Sequence, residues 1–358
     1  MNARENYLSI IKRTGYDGVV ATYWLCPHLE ESYGDRLRKF VEDNQVMCPE
    51  VRSRAPKYVP VPDSARLPFF DPPLKEGGTI DVFGVGHEKG SAAAMHMTYM
   101  RSPLEKLHSV EELEKFPFAK TQEDPAYLAE VLAENEALKA QDKIVMGDMQ
   151  MTVWERSWYL RRMERMMVDM MIAPDQATFI LDKITALAIE EAEFYTKAGC
   201  DVLFFGDDVG MQNSILMSLD TYRTWLKPRI IRVIEAAKAI NPQVVIMYHS
   251  CGFVEPFIDD LIDAGVEVLD PVQPECMEFS EIAEKYGDRI SFHGSIGTQT
   301  TMPKGTPSEV YHKVMENLKI SGKKGGLLVC PTHMLEPEVP VENIEAYLLA
   351  CRDFNEEM

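Results

Sequence analysis

A (β/α)8 barrel of the TIM type, with an N-terminal proline-rich extension, is the fold class that the sequence predicts, and three observations predict it. Short β-rich apolar runs alternate with helix-patterned segments from about residue 140 onward. Six such runs fall in this part and two lie upstream, giving the eight strands of a closed barrel. The other fold with this linear pattern, a doubly wound sheet, finds no glycine-rich dinucleotide fingerprint to support it. Strands that return after an intervening helix pair in parallel through right-handed crossovers. At 358 residues and 46% hydrophobic content, the chain is long and apolar enough for an extensive core.

In chain order, the first candidate strand is "DGVVATYW" (17–24). Residues 49–73 follow with seven prolines, too many for a barrel strand or helix and too apolar for a disordered linker. They are expected to form an extended arm folded over one end of the barrel. "TIDVFGV" (79–85) is the second strand. The other six are "KIVMGDM" (143–149), "DVLFFGD" (201–207), "QVVIMYH" (243–249), "VEVLDPV" (266–272), "RISFHGS" (289–295) and "GLLVCPT" (326–332). Helices are expected from Pro174 to Gly199, from near Ser218 to Ile240, and from Pro307, where Thr306 can cap and Glu309 completes a capping box. Residues 1–75 are thus read as an N-terminal segment and arm packed on a barrel of residues 76–358, one domain overall.

Composition excludes several function classes. With 57 acidic against 37 basic residues the formal net charge is −20, which repels a phosphate backbone or an anionic membrane surface, so no nucleic-acid or membrane partner is expected. The N-terminus has no apolar leader core, and no uncharged apolar run approaches the ~20 residues that span a bilayer, so a cytoplasmic location is expected. Seven cysteines at 26, 48, 200, 251, 276, 330 and 351 are an odd, scattered set, unsuited to a disulfide framework.

The C-terminal ends of barrel strands converge on the active site. Here they deliver Asp148 and Gln150, Asp207 and Asp208, His249 and Cys251, Asp270 and Gln273, His293, and Cys330 with His333. His249 and Cys251, two apart on extended chain, point to the same side, and N/S ligation suits zinc; Cys330 or His333 is the candidate third ligand. The bland alternative is two core neighbours. The adjacent carboxylates Asp207 and Asp208 can bind a cation, share a proton or orient a hydroxyl, or one of them caps the next turn. Methionines 163, 166, 167, 170 and 171 recur at helical spacing and are expected to face the core, with packing against a planar cofactor as the alternative. Glu155 and Arg156 can pair with each other or face ligand.

The runs "YHSCGFVEPFIDDLIDAGVEVLDPVQPE", "ISFHGSIGTQTTMPKGTPSEV" and "THMLEPEVPVENI", with "VWERSWYLRRME" and "FFGDDVGMQNSILMSLDTYRTWLKPRI" before them, resemble the uroporphyrinogen decarboxylase superfamily. Within it they are most similar to corrinoid-dependent methyltransferases, especially those that demethylate O-methyl compounds. The likeness covers roughly residues 140–350. It implies a (β/α)8 barrel and zinc- or Lewis-acid-assisted methyl transfer to or from a corrinoid carried by a partner protein. In thiol-activating members the ligands are the His and Cys of the His-x-Cys motif and a Cys seven residues before a "P-x-E-N" proline. Here "PVEN" begins at Pro340, so His333 stands at that position, with Cys330 near it.

This departure favours a small methylated donor, an O-methyl compound, whose methyl passes to Co(I) while the leaving oxygen is coordinated or protonated. The His249/Cys251/His333 centre, or an acid among Asp207, Asp208 and Glu155, is expected to supply that help, and Trp158, Gln212, Gln273 and His293 are the candidate substrate contacts. The alternatives are a methylcorrinoid:thiol methyltransferase, a uroporphyrinogen decarboxylase, and a non-catalytic corrinoid- or partner-binding barrel. True decarboxylases carry an arginine-rich N-terminal segment for a polyanionic substrate, and this chain has none.

Overall fold

The computed structural model describes residues 1–90, 97–322 and 324–357. Among these residues the strands are β1 (Glu50–Arg52), β2 (Thr79–Ile80), β3 (Gly86–Lys89), β4 (Thr98–Arg101), β5 (Ile144–Met149), β6 (Val202–Gly206), β7 (Val245–His249), β8 (Val268–Asp270), β9 (Ser291–Ile296) and β10 (Leu327–Pro331). All six runs of the later part are strands of one curled parallel sheet, in the order β1-β5-β6-β7-β8-β9-β10. It is a TIM-type barrel sheet.

Period-2 alternation explains its packing. Ile144 and Met146, Val202 and Phe204, and Val245 and Met247 point inward and meet Val20, Val268, Leu328 and the helix Ala3–Lys12, whose Tyr7, Ile10 and Ile11 plug one end. The alternate residues Val145, Leu203, Phe205, Ile246 and Tyr248 join the outer core under the helices.

Three upstream expectations change. The arm does supply a barrel strand: Pro49 and Pro56 flank β1 rather than interrupt it, so its three residues pair freely with Ile144–Met146 of β5. The run 17–24 forms no regular strand. Instead it lies between the two edges of the sheet, with Ala21 N–H on the Met47 carbonyl at 2.8 Å and Leu335 N–H on the Trp24 carbonyl at 2.8 Å. Tyr347 takes over part of the missing ladder: its hydroxyl lies 2.9 Å from the Thr22 carbonyl and 3.0 Å from that of Val329.

The run 79–85 belongs to a separate antiparallel sheet, β2-β3-β4, outside the barrel. Asp81 breaks the run, because its Oδ1 accepts the N–H groups of Phe83, Gly84 and Val85 and turns the chain, with Gly84 at φ +101°.

The expected helices form at Pro174–Lys197 and Pro307–Ser321, the latter with its Thr306/Glu309 capping box; the 218–240 segment is two helices, Leu219–Trp225 and Lys227–Ile240. Of the methionines, Met166 and Met170 enter the core, while Met171 is exposed. Among the described residues no helix is long and apolar enough to cross a membrane.

Candidate metal centre and substrate cavity

Sheet register sets the site. Gly206 of β6 lies beside His249, and His249 beside Asp270 of β8, so the groups ending three neighbouring strands sit at one level. The cluster is then closed by two short loops: Asp208 follows β6 and accepts the Cys251 N–H at 2.7 Å. As a result Asp208, His249 and Cys251 each present one ligand atom, all within 4.8 Å of one another. Cys251 Sγ is 3.4 Å and Asp208 Oδ1 3.8 Å from His249 Nε2.

The other imidazole nitrogen is already committed. His249 Nδ1 lies 2.5 Å from Asp270 Oδ2. Burial works to raise the Asp270 pKa, but the facing His293 and His249 rings outweigh it and hold this carboxyl well below the usual range. An ionised carboxylate only accepts, so Nδ1 carries a proton, and Nε2 is the nitrogen left to face Cys251 and Asp208. An oxygen, a nitrogen and a sulfur donor, with a carboxylate behind the histidine, make a set that fits zinc.

A cavity of about 480 Å³ opens beside this cluster. His249 and Asp208 form its floor with Glu155, Tyr159, Trp24 and Arg52 around them. Arg52 is held by Asp148 at 2.5 Å and stacks 4.7 Å above the Trp24 ring, so its charge is matched within the wall. Glu155 differs: burial, then the charges of Asp208 and Asp207, pushes its carboxyl up to about 8, while the Tyr159 hydroxyl donates to it at 2.9 Å. It therefore holds a proton at neutral pH. A second cavity of about 380 Å³ lies past Cys251 and is lined by Gln212, Gln273 and Gln299.

Other expected site residues fall elsewhere. Asp207 is 1% exposed and accepts the N–H groups of Val153 and Glu155, capping the helix Trp154–Arg161; burial pushes it up to about 7 in spite of those bonds. It caps this helix after β5 rather than the turn that follows the acidic pair, and Asp208 is the one that faces the cavity. Cys330 is buried against His293, 3.3 Å from its Nε2, and is not in the close donor group with His249. His333 is exposed, lines both cavities, and its ring centroid is 6.4 Å from that of His249.

Trp158 packs edge-on against Tyr159 and lines neither cavity. Gln212 and Gln273 line the second cavity, Gln273 accepting the Gly252 N–H at 2.9 Å. His293 is buried beneath the floor. Sequence reasoning missed Tyr159, although its spacing of four from Glu155 was a signal, and it missed Trp24 and Arg52 because neither stands in a regular late strand.

Residues 93–354 match the family described as uroporphyrinogen decarboxylase (URO-D). The chain belongs to the uroporphyrinogen decarboxylase family. This family member is 26% identical over 186 residues to the methylated-thiol--coenzyme M methyltransferase of Methanosarcina mazei, covering 50% of this chain and 45% of that protein. Over 183 residues it is 20% identical to uroporphyrinogen decarboxylases of Coxiella burnetii, covering 51% of this chain and 48% of theirs. The chain thus spans about half the length of the curated relatives it matches. Among solved structures, a methyltransferase from Methanosarcina mazei has the same fold, with a TM-score of 0.66 over 99% of both chains at 20% identity.

The Glu155 shift gives a stability prediction with a definite sign. Between the ordinary carboxylate value of 4.5 and about 8, the folded state keeps a proton that the unfolded chain has released, so stability falls as pH rises through that window. In metal-free protein, Glu155→Gln removes this penalty. Its melting temperature is expected to equal the wild type's near pH 4.5 and to exceed it by roughly 2–5 °C above pH 8. Calorimetry across this range checks it.

Proposed function

We propose that this family member is a corrinoid-linked methyltransferase that takes the methyl group of a small O-methyl compound and delivers it to the Co(I) of a partner corrinoid protein. The observation that supports it most is the placing, around one 480 Å³ cavity, of the Asp208/His249/Cys251 donor cluster beside the Glu155 carboxyl, whose burial favours its protonated form. Zinc held by Asp208, His249 and Cys251, with His333 as a fourth donor, would supply Lewis-acid polarisation of the substrate oxygen.

The chain's own residues would do the rest. Trp24 and Tyr159 form aromatic walls that orient the substrate and exclude water from one side. Glu155 gives its proton to the oxygen as the methyl–oxygen bond breaks, so an alcohol or phenol leaves rather than its anion. Cobalt supplies the electron pair of the new bond, and the ether oxygen keeps the pair of the old one. The charge inventory suits a neutral donor, because Arg52 is matched by Asp148 and Glu155 is uncharged. It does not suit a polyanionic porphyrinogen: Arg52 is the one Arg or Lys among the described residues lining this cavity.

A second reading, transfer involving a methylated thiol, is favoured by the Methanosarcina mazei relative that bears that name and by the Cys251 sulfur in the cluster. Both are tested together. Purified protein with cob(I)alamin and a panel of aryl methyl ethers, methylated thiols and methylamines is followed by visible absorbance. Loss of the Co(I) band with an ether supports the proposal, with a thioether it supports the second reading, and with no donor at all it overturns both.

A further inference from the structure

His293 does not reach the cavity, yet it is among the most heavily bonded side chains of the barrel interior. Its Nδ1 lies 2.5 Å from Asp270 Oδ1. Around Nε2 are Thr22 Oγ1 at 3.0 Å, Cys330 Sγ at 3.3 Å and Glu50 Oε1 at 3.6 Å, and that Glu50 oxygen in turn accepts the Tyr7 hydroxyl at 2.6 Å. These groups come from the segment 17–25, β10, β1 and the N-terminal helix, so the ring is fixed from several sides of the barrel. Gly294 sets the spacing from the remaining side. It has φ +106°, and a Cβ there would lie 2.8 Å from Pro271 Cβ, so β9 is pressed onto the Asp270–Pro271 step as only glycine permits.

We infer that His293 is a positioning residue for the metal-binding nitrogen of His249, acting through Asp270. This rests on the metal-centre reading given above. Asp270 divides its two oxygens between two imidazole N–H groups, His249 on Oδ2 and His293 on Oδ1, with its side chain 4% exposed. With both oxygens held, the carboxylate cannot rotate, and the His249 ring keeps Nε2 facing Cys251 and Asp208. Without the His293 N–H, Oδ1 is a buried, unpaired charge; the carboxylate turns toward any other donor, and the His249 N–H loses its fixed acceptor.

Two substitutions of similar polarity separate this role from space filling. Asparagine places its amide nitrogen near the position of Nδ1 and keeps a donor on Asp270, whereas glutamine places it near Nε2 and leaves Asp270 bare. A side chain that merely fills volume is better replaced by glutamine, the larger of the two. Zinc affinity is read by competition with a chromophoric chelator, and the d–d absorption of Co2+-loaded protein reports ligand geometry.

His293→Gln is expected to weaken zinc binding about 10–100-fold and to shift the Co2+ bands, and His293→Asn to stay within about threefold of wild type. Wild-type affinity in His293→Gln, or an equal loss in His293→Asn, overturns the inference alone. If wild-type protein itself binds no zinc, the metal-centre reading falls and the inference with it. Should the glutamine variant not fold, the asparagine variant still decides, since the inference requires it to bind near wild-type strength.

Discussion

A His249→Ala/Cys251→Ala variant is expected to lose the proposed methyl transfer by about 10³-fold or more, because Lewis-acid help at a leaving oxygen is worth several kcal/mol and each 1.36 kcal/mol is tenfold in rate. The size of the effect follows from geometry. These two residues provide the nitrogen and the sulfur of the donor cluster, leaving the Asp208 carboxylate, which is 40% exposed, and the exposed His333 ring, a weak pair without them. The double change also takes the imidazole N–H from buried Asp270 Oδ2, so the metal-free variant is expected to melt several degrees below metal-free wild type. Rates with cob(I)alamin and the best donor, paired with calorimetry, check both halves. Unchanged rates would remove the cluster from the chemistry.

The second large effect is on stability. Arg161 is fully buried: Nε is 2.7 Å from Asp169, Nη2 is 2.8 Å from Gln176 Oε1, and Nη1 bonds the carbonyls of Leu104 and Leu107. It joins the chain after β4 to the helices Met163–Ile172 and Pro174–Lys197. Asp169 is itself 0% exposed, with Arg165 as its other cationic partner at 3.0 Å. Arg161→Met therefore leaves the buried Asp169 with Arg165 alone and strands two carbonyls and the Gln176 amide oxygen, and is expected to cost about 3–5 kcal/mol in urea denaturation. Replacing Asp169 by leucine as well should recover part of that loss, giving a favourable coupling energy in the double-mutant cycle.

How far the sequence could be read depended on local signals. β5 to β10 are continuous apolar runs because both their faces are buried, and a run of that kind stands out without tertiary information. β1 was hidden because it is three residues long amid prolines, and its strand state comes from pairing with β5 rather than from its composition. The segment 17–24 is apolar for the same reason as a strand, burial on the barrel, but its backbone bonds go to loops and to Tyr347, which no pattern announces.

At the site, the His-x-Cys spacing placed His249 and Cys251 together, since two residues at the end of one strand need no long-range information. Which carboxylate of the adjacent pair faces them depended on the helix after β5, whose N-terminus takes Asp207 and leaves Asp208 to the cavity. For Cys330 and His333 the outcome turned on the exit from β10: Cys330 is the partner in register with Ser295 and is buried against His293, and only beyond Pro331 does the chain rise to put His333 over the mouth. The Glu155 proton is likewise a tertiary effect of burial and neighbouring charge.

Zinc binding to the wild-type chain and to Asp208→Asn, His249→Ala and Cys251→Ala, measured by elemental analysis after dialysis and by chelator competition, tests the central claim most directly. The account predicts about one zinc per wild-type chain, a large loss in the His249 and Cys251 variants and a smaller one in the Asp208 variant. No zinc in the wild-type protein, or equal zinc in all four, would contradict it.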